Sequence, residues 1–501
     1  MKTRIDSTIK KLFLLLAFLV IPSGCTPQTT TFSLIHHYPY LTALNTWICN
    51  HMHALIPPSI ITKTTKSNDE ILQETKKIKD WNIIVYMAAN NNLHMFSIKN
   101  LQQMIHIGSN ERINIIVQLD GYRMEDISRF YLEKDNPILI DSFNHTQATI
   151  SGTRQSLEEF VTWAIQTYPA KHQALILWNH GSGIKDPRLW EKRIIAHRDD
   201  FFFFNHQLCL LELNRHLLDN NYEDQSNRGI AFNDTFETYI TNQELTETLD
   251  TLSTNILNNK KIDLLFFDAC HMAMIEIGSQ IKSAVCYMVG SEEIEPGNGH
   301  NYMYALEPFL HKNLSPSEFA CHLVHAYEQE YINFNADYTQ SAIHLESYEP
   351  LEELMQKITS NLNFLLQKES TIITQFIRSI RFSRRYTTEF GDPDYIDFCL
   401  FFQNLEKKLI SLLGNEIIAN ITMTTIVKTI ELINQCLEIA LKKTIIKNTS
   451  GFNLPYAQGL AIYFPRRSID SYYRTTIFDQ KTQWSTFLTT FALNLQKLGE
   501  S

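Results

Sequence analysis

Two short stretches carry the side chains best suited to covalent chemistry. "IDLLFFDAC" ends an apolar run on Asp268 and sets Cys270 two residues later, and "ALILWNHGSG" ends another on His180, followed by Gly181, Ser182 and Gly183. A thiol becomes an effective nucleophile near neutral pH when its pKa is lowered, which a nearby imidazolium and a helix N-terminus both favour. "HMAMIEIGSQI" continues from Cys270 with Met272, Ile275 and Ile281 as an apolar stripe, so the thiol is expected at or near such an N-terminus. Gly181 has no side chain to obstruct a substrate carbonyl. Its N–H, with that of Cys270, could hold a developing oxyanion, and loss of one such donor costs roughly 3 kcal/mol. Residues two apart in an extended chain point to the same side, so Asp268 should face the same cleft as Cys270. A carboxylate there would accept an Arg or Lys side chain. Each residue also has a plainer reading: Cys270 as a small buried hydrophobe, His180 as a locally bonded loop residue, Asp268 as a helix cap. Their combination is what favours chemistry.

The elements around these residues explain how they could meet. "WNIIVYMA", "INIIVQLD", "ALILW" and "IDLLFFD" are apolar runs without polar alternation, as expected of parallel strands buried on both faces. Between them, "LHMFSIKNLQQMIHIG" and "SLEEFVTWAIQTY" have helical spacing, which makes an α/β unit. Catalytic groups in such sheets gather at the carboxyl ends of the strands, where both His180 and Cys270 stand. Residues 185–228 interrupt the pattern as an inserted loop with one helix expected near "LLELNRHLL", and Phe201 to Phe204 put four aromatics in a row there. Residues 346–447 read as a mostly helical domain. "GLAIYFP" then returns to a strand expected to rejoin the sheet or lie against its edge, before a last helix in "WSTFLTTFALNLQKL". The domains expected are therefore 79–345, 346–447 and 448–501, the last packing back on the core.

With 501 residues, 44% of them hydrophobic and 20% charged, the chain can bury a large core. A formal charge of −10 without a basic face excludes nucleic acid as a main partner. Residues 1–24 combine Lys2, Arg4, Lys10 and Lys11 with an apolar run from Leu12 to Ile21. That run is shorter than the ~20 residues of a membrane-spanning helix and fits an export signal. It ends in "IPSGC", which resembles a bacterial lipoprotein signal with Cys25 as the lipid-bearing residue; Pro22 departs from that pattern, leaving cleavage without lipidation or an uncleaved anchor as alternatives. The expected location is thus the cell envelope, through lipidated Cys25, or the medium. Residues 25–78 read as a Thr-rich linker, in which His36, His37, His51 and His53 have no acid or cysteine at ligand spacing. The eight cysteines include no C-x-x-C pair.

The chain resembles the clostripain-like cysteine peptidases of the caspase–gingipain–legumain clan. The stretches that carry the likeness are "WNIIVYMAANNNL", "INIIVQLDGY", "YPAKHQALILWNHGSG", "GIAFNDTFETYITNQEL", "IDLLFFDACHMAMIEI", "VGSEEIEPGNGHNY", "PDYIDFCLF" and "GLAIYFP", in family order over residues 79–490. The resemblance implies a caspase-like, mostly parallel sheet flanked by helices, and an endopeptidase whose His–Cys dyad maps onto His180 and Cys270. It also implies a preference for Arg or Lys before the scissile bond, with Asp268 as the acid of the S1 pocket and Ser291 and Glu292 lining it. The region between the dyad residues is often cut during maturation in this family, and Lys192-Arg193 is the pair expected to be self-cleaved here. Asn90 departs from the family's "AADNNL" pattern, which carries Asp there, and puts a local ion contact in doubt.

Other classes fit poorly. The chain has no G-x-S-x-G elbow, no Walker A loop and no G-x-G-x-x-G after a strand. "HLVHAYEQE" brings His322 and His325 near acids but lacks H-E-x-x-H. Asp392, Asp394 and Asp397 in "GDPDYIDF" read as structural or capping residues, with a calcium site as the alternative, and no cofactor is required. The expected protein is a monomer acting on proteins or peptides. The competing class is an envelope lipoprotein of the same fold that binds peptides or partner proteins without cutting them.

Overall fold

Apolar strands without polar alternation need cover on both faces, and the chain provides it. A computed structural model describes residues 77–499 apart from 123, 125, 147–148, 186–201, 206–209, 214–228, 334–336, 369–370, 415–419 and 467. The export signal, Cys25, the four linker histidines, Lys192 and Arg193 lie outside the described residues. The central sheet has nine strands in the order β14-β12-β11-β10-β5-β1-β2-β3-β4. Its middle is β11 (Val285–Gly290), β10 (Ile262–Asp268), β5 (Ala170–Trp178), β1 (Lys79–Ala89) and β2 (Ile113–Gly121), all parallel. Antiparallel strands extend both edges: β3 (Asp126–Glu133) and β4 (Asn136–Asn144) on one, β12 (Thr339–His344) and β14 (Ile445–Ser450) on the other.

The flanking helices start where the sequence supplies caps. α1 (His94–Ile107) follows β1, and α2 (Arg154–Thr167) starts at Thr153, whose hydroxyl accepts the Ser156 N–H. α3 (Asn242–Thr251) has the reciprocal Thr241–Glu244 box. α4 (Ile275–Ile281) is buried along its whole length, α5 (Tyr302–Leu306) is one short turn, and α6 (Pro316–Tyr331) has the Ser315–Glu318 box. Trp81 is wholly buried at the start of β1, and its indole N–H donates to the Leu314 carbonyl at 2.8 Å.

The C-terminal third is helical as expected, with two differences. α7 (Tyr348–Leu366), α8 (Thr371–Arg385), α9 (Phe398–Leu412) and α10 (Asn420–Ile439) supply the helices. "IIKNTS", across the expected boundary at 447 of the helical domain, leaves α10 to pair with β12 as β14, so it fills the edge that "GLAIYFP" was expected to reach. That segment instead makes β15 (Ala461–Tyr463), paired with β13 (Tyr395–Asp397) in a separate two-stranded sheet; the Ala461 N–H donates to Ala273 O at 2.8 Å. α11 (Ile477–Thr482) and α12 (Trp484–Lys497) close the chain, Trp484 donating its indole N–H to Tyr463 O at 2.8 Å. The inserted loop also differs. Phe202–Asn205 and Leu210–Leu213 pair as the hairpin β6–β7 where a helix was expected, a consistent outcome for aromatic and apolar runs too short for helical cover.

Polar contacts of Glu276, Lys185 and Tyr395 tie the C-terminal part to the elements around the sheet. Glu276 on α4 accepts the Tyr463 N–H at 2.9 Å and the Tyr473 hydroxyl at 2.7 Å. Lys185 places its ammonium between Asp392 and Asp394, at 2.6 and 2.8 Å, and Tyr395 Oη donates to Ser182 O at 2.6 Å. Two of the aspartates weighed as a calcium site thus hold a lysine. The third, Asp397, caps α9 through the Leu400 N–H at 2.6 Å and neighbours the buried Glu292, whose Oε2 accepts the Gly459 N–H at 3.0 Å. Burial raises both carboxyl pKa values, and the Asp397 charge raises that of Glu292 further.

Two outcomes are expected. A Cβ on Gly278 would lie 2.1 Å from Tyr348 Oη, so Gly278→Ala should cost about 1–3 kcal/mol in chemical denaturation; an unchanged midpoint would contradict the close α4–α7 packing. For Glu292 the folded chain keeps a proton that the unfolded chain releases above the ordinary Glu range. That proton-linked stability is full below this range and is lost as pH rises toward the higher folded value. Glu292→Gln should therefore gain thermal stability over the parent as pH rises from 4 to 8; a gain that shrinks with pH would show the carboxyl ionised in the fold.

Candidate active site

Parallel pairing of β5 with β10 sets Trp178 opposite Asp268. His180 and Cys270 each stand two residues beyond that pair, so both leave the sheet at the same rim. Asn179 fixes the exit of β5. Its side-chain amide donates to the Ala88 and Phe232 carbonyls, its Oδ1 accepts the Phe232 N–H at 2.9 Å, and its N–H donates to Asp268 O at 3.2 Å. His180 is partly exposed, and its Nε2 lies 2.7 Å from Asn92 Oδ1. Gly181 packs so closely on the other segment that a Cβ would sit 2.5 Å from the Cys270 carbonyl oxygen. It bridges Ile230 in a pairing where the Ser182 N–H, at 3.2 Å from Gly229 O, makes the hydrogen bond.

Cys270 differs from expectation in two respects. The helix begins only at Ile275, because His271 adopts φ +59° and turns the chain before α4 starts, so the thiol is not at its N-terminus. Its pKa is pushed up to about 12, chiefly by burial and then by the neighbouring Glu295 charge. Cys270 is 8% exposed, and its sulfur accepts the Glu295 N–H at 3.3 Å and faces Glu295 O at 4.0 Å. A buried thiol beside acids rests protonated.

Asp268 lies beneath it. The Tyr302 hydroxyl donates to Oδ2 at 2.7 Å and the His300 N–H to Oδ1 at 3.1 Å. Gly299, at φ +56°, lets the loop pass the carboxylate; a Cβ there would stand 2.6 Å from Oδ1. Asp268 does not cap a helix. Burial raises its pKa, and Glu295, on the same cavity, is itself raised by burial and by the Asp268 charge. Glu295 Oε1 accepts from Gln340 Nε2 at 3.0 Å. Gln340 also lies 2.8 Å from Nε2 of His300, an imidazole that burial lowers to about 3 and so keeps neutral.

His180, Asp268, Cys270 and Glu295, with Leu93 and Trp178, line one cavity of about 30 Å³. That is room for about one water and not for a lysine or arginine side chain. Of the residues expected around Asp268, Ser291 and Glu292 are elsewhere: Ser291 is fully buried against Thr339, with Oγ atoms 2.9 Å apart, and Glu292 faces Asp397. The strand β11 ends at Gly290, and the following turn directs Glu295 inward instead. Glu295, Tyr302, Asn92 and Asn179 were missed. An acid in "EPGNG", three residues past Glu292, was the available signal for the first.

Asn90 is also accounted for. It is buried, donates to Asp120 Oδ1 at 3.2 Å and accepts from Thr235 at 2.6 Å, while Asp120 takes further bonds from Ser151 and Asn233. An aspartate at 90 would face Asp120 as a like charge. Among the described residues no group of three metal-ligating side chains occurs, and His322 and His325 lie on α6, His322 bonded to Tyr304 O at 2.8 Å.

Comparison with known proteins agrees with this architecture. The sequence model of the clostripain family matches residues 85–218 and 214–491. A secreted C11 cysteine protease from Bacteroides thetaiotaomicron, solved with an irreversible peptide inhibitor, is 17% identical with a TM-score of 0.52, covering 81% of this chain and 99% of its own. An inactive zymogen C11 protease from Parabacteroides distasonis is 15% identical with a TM-score of 0.51, over 81% and 99% of the two chains. At these identities the solved structures establish the shared fold. No curated protein matches the chain. Since the family match spans most of the sequence, including both strand ends that carry His180 and Cys270, the chain belongs to the clostripain family and is a cysteine peptidase.

Proposed function

We propose that this peptidase is an endopeptidase that cuts after Arg or Lys, with Cys270 as nucleophile and His180 as its acid–base partner. One observation carries the reading: an imidazole, a thiol and a buried carboxylate line a single cavity at the carboxyl ends of two neighbouring parallel strands. The Cys270 sulfur attacks the scissile carbonyl carbon, its proton passing to His180. The N–H groups of Gly181 and Cys270 receive the oxyanion. The tetrahedral intermediate collapses with expulsion of the amine, which takes the proton from His180 and leaves a thioester that water hydrolyses. Asp268 pairs with the basic side chain preceding the bond. No cofactor takes part, and the enzyme acts as a monomer.

The tight cavity and protonated thiol suit a latent form. Access to Asp268 requires the Glu292–Gly299 turn to move outward, and self-cleavage at Lys192-Arg193 is the proposed trigger. A signal in residues 1–24 directs the chain out of the cell, where lipidated Cys25 holds it at the envelope or cleavage releases it; the Bacteroides relative is itself described as secreted.

Two measurements test the proposal. Reporter peptides ending in Arg, Lys or Asp should be cut only in the first two cases, and Cys270→Ala or His180→Ala should abolish hydrolysis. Asp268→Asn should lower kcat/KM for the Arg reporter by about 2–5 kcal/mol, the usual cost of removing one partner of a buried charge pair; cleavage after Asp, or an active Cys270→Ala chain, ends the reading. The purified parent should split within residues 185–228 while Cys270→Ala stays whole. Identical splitting of both would assign the cut to another protease.

A further inference from the structure

The cavity that the proposed function gives to a basic side chain holds two carboxyl groups, and only Asp268 has been used. Glu295 enters from the opposite wall, on the turn between β11 and α5, and is 7% exposed. Its Oε1 is satisfied by Gln340, while its buried Oε2 has no ordinary donor. On Asp268, Oδ2 and Oδ1 already accept from Tyr302 and from the His300 N–H. Both acids line the same cavity, and burial raises both carboxyls, Glu295 also through the Asp268 charge, so the pair retains a proton that two solvated carboxylates would release.

The groups facing this pair supply no counter-charge. They are the hydroxyls of Tyr302, Tyr327 and Tyr331, the neutral imidazole of His300, the amide of Gln340, the protonated thiol of Cys270, and the acid Glu293 behind it. His180 stands on the cavity wall, and Lys99 reaches the rim, where it bonds Asn298 at 3.1 Å. A buried pair so placed holds one proton and one negative charge. Anything that brings both a positive charge and N–H donors into the cavity can replace that proton.

We propose that Glu295 is the second acid of the specificity pocket, and that a basic side chain binds by displacing the proton shared between Glu295 and Asp268. The inference rests on the reading of Asp268 as the substrate's partner. The N–H groups of the incoming guanidinium or ammonium donate to Glu295 Oε2 and to Asp268, and the proton leaves to solvent. Affinity for basic ligands is therefore coupled to pH. In the range where the pair is protonated, loss of one proton on binding makes affinity rise about tenfold per pH unit; above it the dependence vanishes. A Gln at 295 keeps the volume and the Gln340 contact but leaves Asp268 as the sole acid, so the coupling is lost.

The experiment is calorimetric titration of benzamidine into the Cys270→Ala chain, cut within residues 185–228 by limited trypsin that is then removed, which opens the pocket and takes away the thiol as an alternative proton source, in buffers of different ionisation enthalpy. Release approaching one proton per benzamidine, disappearing in Cys270→Ala/Glu295→Gln, supports the proposal. Benzamidine binding without proton release overturns it and leaves the Asp268 reading intact. Undiminished release in the Glu295→Gln chain also overturns it, since the proton would then come from His180 or elsewhere. Failure to bind benzamidine at any pH sinks both readings. Should Glu295→Gln not fold, the pH slope of benzamidine affinity in the Cys270→Ala chain still decides: a flat slope from pH 5 to 8 overturns the proposal.

Discussion

The register between β5 and β10 is the constraint on which the site depends. Because Trp178 pairs with Asp268, the two chains leave the sheet in step, and each delivers its reactive residue two positions later. A slip by one residue would reverse every side chain on one strand and send the apolar groups of Leu264 to Phe267, all buried, to the wrong faces. The register is therefore held by the core, and the site inherits its precision from packing that has nothing to do with chemistry. Asn179 adds the local control. By bonding the ends of β1, β8 (Ile230–Asn233) and β10 at once, it closes the gap through which the chain after Trp178 could otherwise wander.

Desolvation then sets the resting chemistry. The same burial raises the Cys270 thiol, the Asp268–Glu295 pair and the Glu292–Asp397 pair, and it lowers His300. All these groups move toward neutrality, as expected where water is excluded and no cation enters. The contrast is Lys185, which stays charged because two carboxylates face it. Acids in this fold are thus paired with a cation at the root of the inserted loop and with each other beside Cys270. The second arrangement costs stability as the pH rises, whereas the ion pair with Lys185 does not.

Much of this was legible in the sequence because it follows from periodicity. Strands without polar alternation announced the parallel middle of the sheet, and reactive residues just past two such strands announced the rim. What could not be read came from elements whose partners are distant. "IIKNTS" becomes a strand only because β12 presents an open edge, and "LLEL" because "FFFN" pairs with it. The helix after Cys270 starts late because of one backbone angle at His271, which no propensity encodes. The role of Glu295 depends on a turn whose direction is set by Gly299 passing Asp268, whereas Ser291 and Glu292 are nearer in sequence and point into the protein body.

The root of the inserted loop and the wall of the pocket rest on common supports. Lys185 holds Asp392 and Asp394; the next residue, Tyr395, bonds Ser182 and packs its ring 5.3 Å from that of His271. His271 in turn sets Nδ1 2.9 Å from the Glu292 carbonyl, and its N–H donates to Glu293 O at 3.2 Å, on the turn that continues to Glu295. Every member is buried or partly buried, so none can shift without a neighbour following. Lys185 is consequently linked to the residues flanking Cys270 by a continuous path of packed side chains. The proposed cut in the loop would need such an arrangement to be felt at Cys270, and it arises from ordinary ion pairing and ring packing.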